Sequence, residues 1–291
     1  MSVIEARGLR KSFKKKTALD SVDLNVDAGR IVGLIGPNGA GKTTALNAIA
    51  GLIPFEGQLK VLDINPWTGR DTLMRQVCFI ADVAVLPRWI RAGQLIDYVE
   101  GVHAAFNRTR AEELLTGTGI DSDSKVRNLS KGMVAQLHLA IALAIEARLL
   151  LLDEPTLGLD PLFRKQFYDT LLNDYFEGDR TIVISTHELE EVQHILTDVV
   201  FIDRGRVALA SSVDDVAGRF VEVLVPPDRV AAARAFHPMS ERSELGRSRM
   251  IFDGGERNQL RAFGEVRTPA ISDLFIAVIE HARRPTSGAA Q

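Results

Sequence analysis

The chain has little cysteine and little net charge, and each shortage excludes a class of protein. Its 291 residues include one cysteine, Cys78, so no disulfide can form within the chain. This composition fits a reducing compartment. The formal net charge is −3, which gives no overall electrostatic attraction to nucleic acid. The one dense basic run, Lys11 and Lys14–Lys16, is interpreted as a solvated turn. We therefore expect no nucleic-acid partner.

Long hydrophobic runs are also lacking. The most apolar region, residues 137–152, is interrupted by His138, Glu146 and Arg148, and falls short of the roughly 18 uncharged residues that a membrane-spanning helix needs. The N-terminus is basic but lacks the apolar core of a signal peptide. We therefore expect a cytosolic chain, and we expect other subunits to supply any membrane spans.

Two further absences narrow the chemistry. His103, His138 and His194 are scattered without the spacing of metal ligands, and no Ser-His-Asp arrangement can be argued. The chain has no internal repeat. With 46% hydrophobic residues, it suits one large core with room for a smaller additional domain.

A glycine-rich stretch at residues 36–44 carries the strongest signal. It reads Gly-Pro-Asn-Gly-Ala-Gly-Lys-Thr-Thr and matches the phosphate-binding pattern G-x-x-x-x-G-K-[ST]. It lies between a predicted strand (31–35) and a predicted helix (45–50), which is the context that this motif requires. Glycines let backbone N–H groups converge on phosphate oxygens, and the helix N-terminus adds partial positive charge. Lys42 would then reach the β- and γ-phosphates, and the Thr43 hydroxyl would coordinate Mg²⁺.

Short apolar strands alternate with helices in the middle of the chain. Residues 149–152 are four leucines and residues 181–185 form a second buried run, with a helix predicted over 163–177 between them. This alternation indicates a parallel sheet covered on both faces. Other predicted elements are short strands within residues 2–62, a mostly helical stretch at 92–117, weak strands at 220–225 and 249–252, and an amphipathic helix at 271–284.

Two carboxylates end the four-leucine strand. Successive residues on a strand point in opposite directions, so Asp153 and Glu154 are expected to do different work. One would approach Mg²⁺, and the other would face the water that attacks the γ-phosphate. Upstream, Ser130 is predicted to cap a helix that runs through Leu137 and Ile141. Its hydroxyl and the positive end of the helix dipole form a second phosphate-binding device.

Together the motifs indicate a family. The chain contains, in this order, the phosphate loop, Leu-Ser-Lys-Gly-Met at 129–133, Leu-Asp-Glu-Pro at 152–155, Gly-Leu-Asp at 158–160 and Thr-His-Glu at 186–188. The series resembles the ATP-binding cassette of ABC transporters. The resemblance covers residues 2 to about 215 and implies an α/β fold. That fold has a P-loop NTPase core with a mixed sheet, an antiparallel β subdomain and a helical subdomain.

The resemblance also divides the chain. It implies a cassette domain at residues 1–215, with the helical subdomain at about 83–148. The composition also changes after about residue 215, where Pro226-Pro227, Gly254-Gly255 and Pro269 interrupt weak strands. We therefore place a boundary near 216 and predict a small C-terminal α+β domain at 216–291. The tail, including residues 269–275, is similar to that of cassettes serving exporters of drugs, peptides, lipids or polysaccharides. It therefore favours an exporter-like (ABC-2 type) subgroup.

Each matched residue takes an implied role. Glu154 corresponds to the general base and His187 to the histidine that contacts the γ-phosphate, while Lys42 neutralises phosphate charge. Asp153 and Thr43 belong to the Mg²⁺ site. The implied ATP-binding residues are Phe13, which stacks on adenine, then Gly36, Asn38, Gly39, Gly41, Lys42, Thr43 and Thr44 in the loop, and Ser130, Gly132 and Asp160, which act across a dimer.

The same resemblance implies partners. Each ATP is held between one phosphate loop and the other cassette's Leu-Ser-Lys-Gly-Met segment, so a homodimer or a second cassette subunit is expected. Separately encoded, multi-span permease subunits would place the chain at the cytoplasmic face of a membrane. The implied function is hydrolysis of ATP, with Mg²⁺, to energise transport.

Several positions depart from the family pattern. The family places a glutamine where this chain has Asp82. A carboxylate can bind Mg²⁺ but adds negative charge, so a metal contact and a plain loop residue both remain open. Lys131 and Met133 replace a glycine and a glutamine, which predicts an altered rate. For Trp89, contact with a membrane partner and ordinary packing are both open.

Two alternatives come from other function classes. A soluble cassette ATPase acting on ribosomes or DNA would usually carry two cassettes, or a long coiled coil inserted between the phosphate loop and the Leu-Ser-Lys-Gly-Met segment. The sequence contains one phosphate loop, and no heptad pattern lies between Lys42 and Ser130. The second alternative is a module that binds ATP only as a regulatory ligand, and it remains because Asp82 departs from the family pattern.

Overall fold

The structure is a computed structural model, and it describes residues 1–81, 86–157, 159–255 and 257–284. Its strands are β1 (Ser2–Phe13), β2 (Lys16–Asp27), β3 (Ile31–Ile35), β4 (Glu56–Val61), β5 (Val77–Ile80), β6 (Leu149–Asp153), β7 (Thr181–Thr186), β8 (Asp198–Asp203), β9 (Arg206–Ser212), β10 (Phe220–Val225), β11 (Ser240–Glu244), β12 (Arg247–Asp253) and β13 (Glu265–Arg267). Its helices are α1 (Lys42–Ile49), α2 (Arg70–Leu73), α3 (Ala92–Val102), α4 (Arg108–Leu115), α5 (Lys131–Leu143), α6 (Pro161–Thr170), α7 (Leu189–Val192), α8 (Val213–Arg219), α9 (Val230–Arg234), α10 (Arg257–Leu260) and α11 (Ile271–Arg283). A π-helical turn at Leu171–Tyr175 extends α6.

A six-stranded sheet forms the centre of the molecule, in the order β5-β6-β7-β3-β8-β9. The first five strands are parallel, and β9 pairs antiparallel with β8 at the edge. Every residue of β3, β6 and β7 is buried, because helices and the N-terminal strands cover both faces. The predicted mixed sheet is confirmed.

Two smaller layers flank this sheet. The antiparallel sheet β2-β1-β4 shares a core with α1 and one face of the central sheet. Helices α3, α4 and α5 pack around a second cluster that includes Leu95, Leu115 and Leu137. The helical stretch predicted at 92–117 is interrupted between α3 and α4, where the Asn107 side chain accepts a hydrogen bond from the Arg110 amide at 3.0 Å and starts a new helix.

The C-terminal strands form a separate antiparallel sheet in the order β11-β12-β10-β13. The last helix, α11, does not pack on that sheet alone. Its Leu274, Val278 and Ile279 lie in the same core as Phe201 of the central sheet, and the Phe275 ring meets Phe201 edge-on at 5.2 Å. The division at residue 216 remains a prediction, and α11 links the two parts that it separates.

Cys78 is buried in the main core, and burial raises the pKa of its thiol to about 12, so it is an unreactive packing residue. No helix in the described ranges combines the length and the apolar character needed to cross a membrane.

Replacing Leu274 with alanine tests whether α11 is part of the main core. Leu274 has no solvent exposure, so Leu274→Ala should lower the free energy of unfolding by about 2–5 kcal/mol, measured by urea denaturation. Leu245 is fully exposed, so Leu245→Ala is the matched control and should change stability by less than about 0.5 kcal/mol. Equal stabilities for the two variants would contradict this packing.

Candidate active site

The phosphate loop connects β3 to α1 and needs glycine at two positions because neighbouring backbone lies against it. A Cβ on Gly36 would lie 2.3 Å from the carbonyl oxygen of Ile202. Gly41 precedes α1 with φ 113°, and its Cβ would lie 2.6 Å from the carbonyl oxygen of Ala18. Only glycine fits these contacts and this left-handed conformation, so the loop is clamped between β2 and β8.

Lys42 is the first residue of α1 and is almost completely buried, with a side chain 6% exposed. Its ammonium group donates a hydrogen bond to the Gly36 carbonyl at 2.7 Å and lies 3.1 Å from a carboxylate oxygen of Glu154. A buried charge needs such compensation. The phosphate loop is thereby tied to the end of β6.

Glu154 joins Lys42 to His187. Its second carboxylate oxygen lies 2.8 Å from His187 Nδ1, and its backbone amide donates to the Ser185 carbonyl and hydroxyl oxygens, both at 3.1 Å. Its φ of 48° is uncommon for a residue other than glycine and is typical of functional positions. Because β6 and β7 are parallel neighbours, Glu154 and His187 meet at one edge of the sheet.

Asp153 faces a different environment from Glu154. Its side chain is 1% exposed and accepts a hydrogen bond of 2.5 Å from the Ser185 hydroxyl, which lies opposite it in the sheet register. Its other oxygen, Oδ2, is buried and has no hydrogen-bond partner in the structure. Sequence reasoning missed Ser185. The available signal was a hydroxyl near the end of an apolar strand beside the strand that carries Asp153.

A cleft of about 270 Å³ opens over these groups. The Phe13 ring, half exposed, lies at its rim with the Lys11 ammonium 5.0 Å from the ring centroid. Seven of the predicted ATP-binding residues therefore line one cleft, whereas Gly36 does not. Its lining is Phe13, Lys16, Ala18, Asn38–Thr44 and Glu154.

The donor set fits a Mg²⁺ ion that is shared with phosphate. Within the described ranges there is no group of three or more His, Cys, Asp or Glu side chains that could hold a metal ion. A P-loop metal needs fewer protein ligands, because phosphate oxygens and waters supply the others. The unpaired buried oxygen of Asp153 and Thr43, an exposed residue that lines the cleft, suit that arrangement. Asp82 lies outside the described residues.

Ser130, Gly132 and Asp160 do not line this cleft. The Ser130 hydroxyl accepts from the Met133 amide at 3.2 Å and caps α5 as predicted. Asp160 caps α6 by accepting from two backbone amides. Among the described residues, no hydrogen bond or ion pair joins these three residues to the phosphate loop.

Arg164 is a second residue that sequence reasoning missed. Its guanidinium donates to the Leu159 carbonyl at 2.8 Å and to the carboxylates of Glu188 and Glu191. It therefore connects the residue before Asp160 with the residue after His187. No motif marks it, because its partners are 24 and 27 positions away in the chain.

Replacing Ser185 with alanine tests its support of Asp153. Ser185→Ala removes the donor to a buried carboxylate and should lower the free energy of unfolding by about 1–3 kcal/mol in urea denaturation. Ser211→Ala is the control, since the Ser211 hydroxyl donates to the adjacent Ser212 carbonyl at 3.2 Å and not to a buried carboxylate. If both variants unfold at the urea concentration of the parent, the Ser185–Asp153 bond contributes nothing.

Comparisons with known proteins agree with this geometry. Residues 19–157 match the ABC transporter family. The daunorubicin/doxorubicin resistance ATP-binding protein DrrA of Streptomyces peucetius is 33% identical over 70% of this chain, which spans 63% of that relative. The lantibiotic transport ATP-binding protein SrtF of Streptococcus pyogenes is 32% identical over 73% of this chain and 92% of its own length. The sulfate/thiosulfate import ATP-binding protein CysA of Bradyrhizobium diazoefficiens is 36% identical over 73% of this chain and 64% of its own length.

Solved structures share the fold. The ATP-binding subunit of an ABC transporter is 28% identical and superposes with a TM-score of 0.66 over 74% of this chain and 92% of its own. A dimeric bacterial ABC transporter cassette, 24% identical, has the same fold, with a TM-score of 0.63 over 72% of this chain and 98% of its own. The predicted family and α/β P-loop fold are confirmed, and the predicted ATPase function is confirmed for the family. The chain belongs to the ABC transporter family, as one of its ATP-binding cassettes.

Proposed function

We propose that the chain, as a dimer and with Mg²⁺, hydrolyses ATP to drive export through separate membrane subunits. The observation that carries the proposal is the continuous chain of contacts from the phosphate loop through Lys42 and Glu154 to His187. It places a cation, a carboxylate and an imidazole beside one phosphate-binding loop. Phosphoryl transfer to water needs cations that neutralise phosphate charge and a group that orients the attacking water, and Lys42 and Glu154 suit these tasks.

Lys42 is the group that would meet the phosphates. Its present partners, the Gly36 carbonyl and Glu154, are oxygens, so phosphate oxygens can replace them without leaving a buried charge unpaired. Bound Mg²⁺, held by Thr43 and with Asp153 nearby, would neutralise charge on the phosphate oxygens. Little covalent chemistry remains, because positioning and charge neutralisation lower the barrier.

Glu154 is the proposed general base. When Lys42 turns to phosphate, the Glu154 carboxylate keeps its contact with His187 Nδ1 and becomes available to accept a proton from water. The left-handed backbone of Glu154 and its two amide contacts to Ser185 hold the carboxylate in place. His187 would orient this carboxylate and contact the γ-phosphate.

A second cassette would complete the site. Ser130 and Asp160 sit at helix N-termini and do not line the cleft of their own chain. At Ser130, the positive end of the α5 dipole suits an anion. Leu157 and Leu162 flank Asp160 and are more than half exposed, so they offer apolar surface to a partner. A dimeric cassette with the same fold supports this arrangement.

The membrane partner and the direction of transport are also proposals. Trp89, just before α3, and Tyr98 and Val102, on α3, are each more than 60% exposed. This exposure favours a contact surface over ordinary packing of Trp89. DrrA and SrtF are named for drug resistance and lantibiotic transport, and both names favour export over the import function named for CysA. Binding to permease subunits would place the chain at the cytoplasmic face.

The base assignment is tested by Glu154→Gln. The amide keeps the size of the side chain but cannot accept the proton, so ATP hydrolysis should fall by about a hundredfold or more while ATP binding persists. Phosphate release is measured with the membrane partner present. Glu190→Gln, on the exposed side of α7, is the control and should hydrolyse like the parent. Parental turnover in Glu154→Gln would refute the assignment.

Dimer formation is tested by solution scattering of Glu154→Gln with ATP and Mg²⁺. Unhydrolysed nucleotide should hold two cassettes together, so the scattering mass should double relative to the nucleotide-free protein. Adding Ser130→Arg places a bulky cation at the proposed contact and should restore the monomer mass. Monomers of Glu154→Gln at saturating ATP, with the permease present, would contradict the shared site.

A further inference from the structure

One ion pair connects α11, the last described helix, to the end of β8, which lies against the phosphate loop. The Arg283 guanidinium, at the end of α11, donates two parallel hydrogen bonds to Asp203, at 2.8 and 2.7 Å. The Asp203 side chain is 9% exposed. A bidentate pair of this kind fixes the orientation of the guanidinium as well as its distance from the carboxylate. Arg283 also holds the pKa of the Asp203 carboxyl below its usual range, so the pair is fully charged at neutral pH.

Asp203 is the last residue of β8, and the turn that follows it is bonded to the phosphate loop. Arg204 and Gly205 both have positive φ, 50° and 77°, which makes this a tight turn. The Gly205 amide donates to the Ala40 carbonyl of the phosphate loop at 2.8 Å, and the Gly205 carbonyl accepts from the Asp20 amide at 2.8 Å. A displacement of Asp203 would therefore be transmitted to the phosphate loop through the Gly205–Ala40 hydrogen bond.

The residue before Asp203 touches the loop directly. The Ile202 carbonyl oxygen lies 2.3 Å from where a Cβ of Gly36 would be, so the start of the loop rests on this strand. The Ile202 side chain also lies 3.5 Å from the Cβ position of Gly41. Residues 202–205 thus support both ends of the loop, whose backbone N–H directions determine phosphate binding.

Helix α11 is itself held at both of its ends. Near its start, Arg249 of β12 pairs with Asp273 and Glu244 at 2.6 Å each, which ties α11 to the C-terminal sheet. Further along, Phe275 packs on Phe201 of β8. The position of Arg283 is therefore fixed by both the C-terminal sheet and the central sheet.

We propose that Arg283 is a positioning residue for the phosphate loop, through which the segment at 216–284 sets the affinity of the chain for nucleotide. The inference rests on the proposed function, because it requires nucleotide in this loop. Arg283 does not line the cleft and acts through Asp203. Without it, the cation that remains paired with Asp203 within the described ranges is Arg204, at 4.0 Å and 76% exposed. The turn and the loop would then be less ordered, and nucleotide binding would have to supply that order.

The test measures ADP binding to the full chain by calorimetry in the presence of Mg²⁺, because ADP binding needs neither hydrolysis nor a dimer. Arg283→Gln should weaken ADP binding about five- to tenfold, in the range of coupling between distant groups. Arg283→Lys keeps the charge but not the bidentate geometry, so its ADP affinity should lie between that of Arg283→Gln and that of the parent. This intermediate variant also carries the test if Arg283→Gln fails to fold.

Arg242→Gln is the matched control. It removes another arginine–carboxylate pair of α11, Arg242–Glu280 at 2.7 Å, on the side that faces the C-terminal sheet. If Arg283 acts by positioning, Arg242→Gln should bind ADP like the parent even where urea denaturation gives the two glutamine variants similar stability losses. The double variant Asp203→Asn/Arg283→Gln should bind ADP no more weakly than the weaker of the two single variants. Both substitutions break the same ion pair, so their effects should not add.

Two results would overturn the inference. One is parental ADP affinity in both Arg283→Gln and Arg283→Lys, and the other is an equal loss of affinity in Arg242→Gln. Absence of ADP binding by the parent chain would refute the proposed function and this inference together, whereas binding by the parent with unchanged Arg283 variants refutes the inference alone.

Discussion

The buried ammonium group of Lys42 is the constraint on which the rest of the site depends. A cation only 6% exposed needs an anion within reach, and in this chain the anion is Glu154, 112 positions further along. The two can meet only because β3 and β6 are parallel and end at the same edge of the sheet, with β7 between them. The residue that follows β7, His187, is then brought to the same point. One strand order thus assembles three groups from distant parts of the sequence.

A second constraint follows from the glycines of the phosphate loop. Without side chains at Gly36 and Gly41, the loop can lie against the carbonyl groups of Ile202 and Ala18, so its shape is set by backbone contacts with β8 and β2. These contacts constrain the shape of the loop before phosphate arrives, which favours binding because little order remains to be gained. They also make the loop dependent on the neighbours that support it, and one of those neighbours, Asp203, is held by α11.

Features encoded by adjacent residues could be predicted, and features encoded by distant pairs could not. The strands that flank the phosphate loop and carry Asp153 are wholly apolar, and Ser130 precedes a helical pattern, so the core sheet and the α5 cap followed from local signals. Strand β11 was missed because its sequence, Ser-Glu-Arg-Ser-Glu, offers no apolar face. Ser185 and Arg164 were missed because their roles come from partners on other elements, and the same holds for the contact of Lys42 with Glu154.

The C-terminal segment shows why a boundary in sequence does not separate energetic units. Composition changes near residue 216, and a new sheet does begin at β10. Yet α11, the last element described, returns to the central sheet and covers Phe201. A chain that ended near residue 216 would expose that ring and leave Asp203 without its bidentate partner, Arg283. Exposing large apolar surface destabilises a fold. The segment after residue 216 is therefore part of what holds the nucleotide-binding core together, and its sequence can alter that core without touching the cleft.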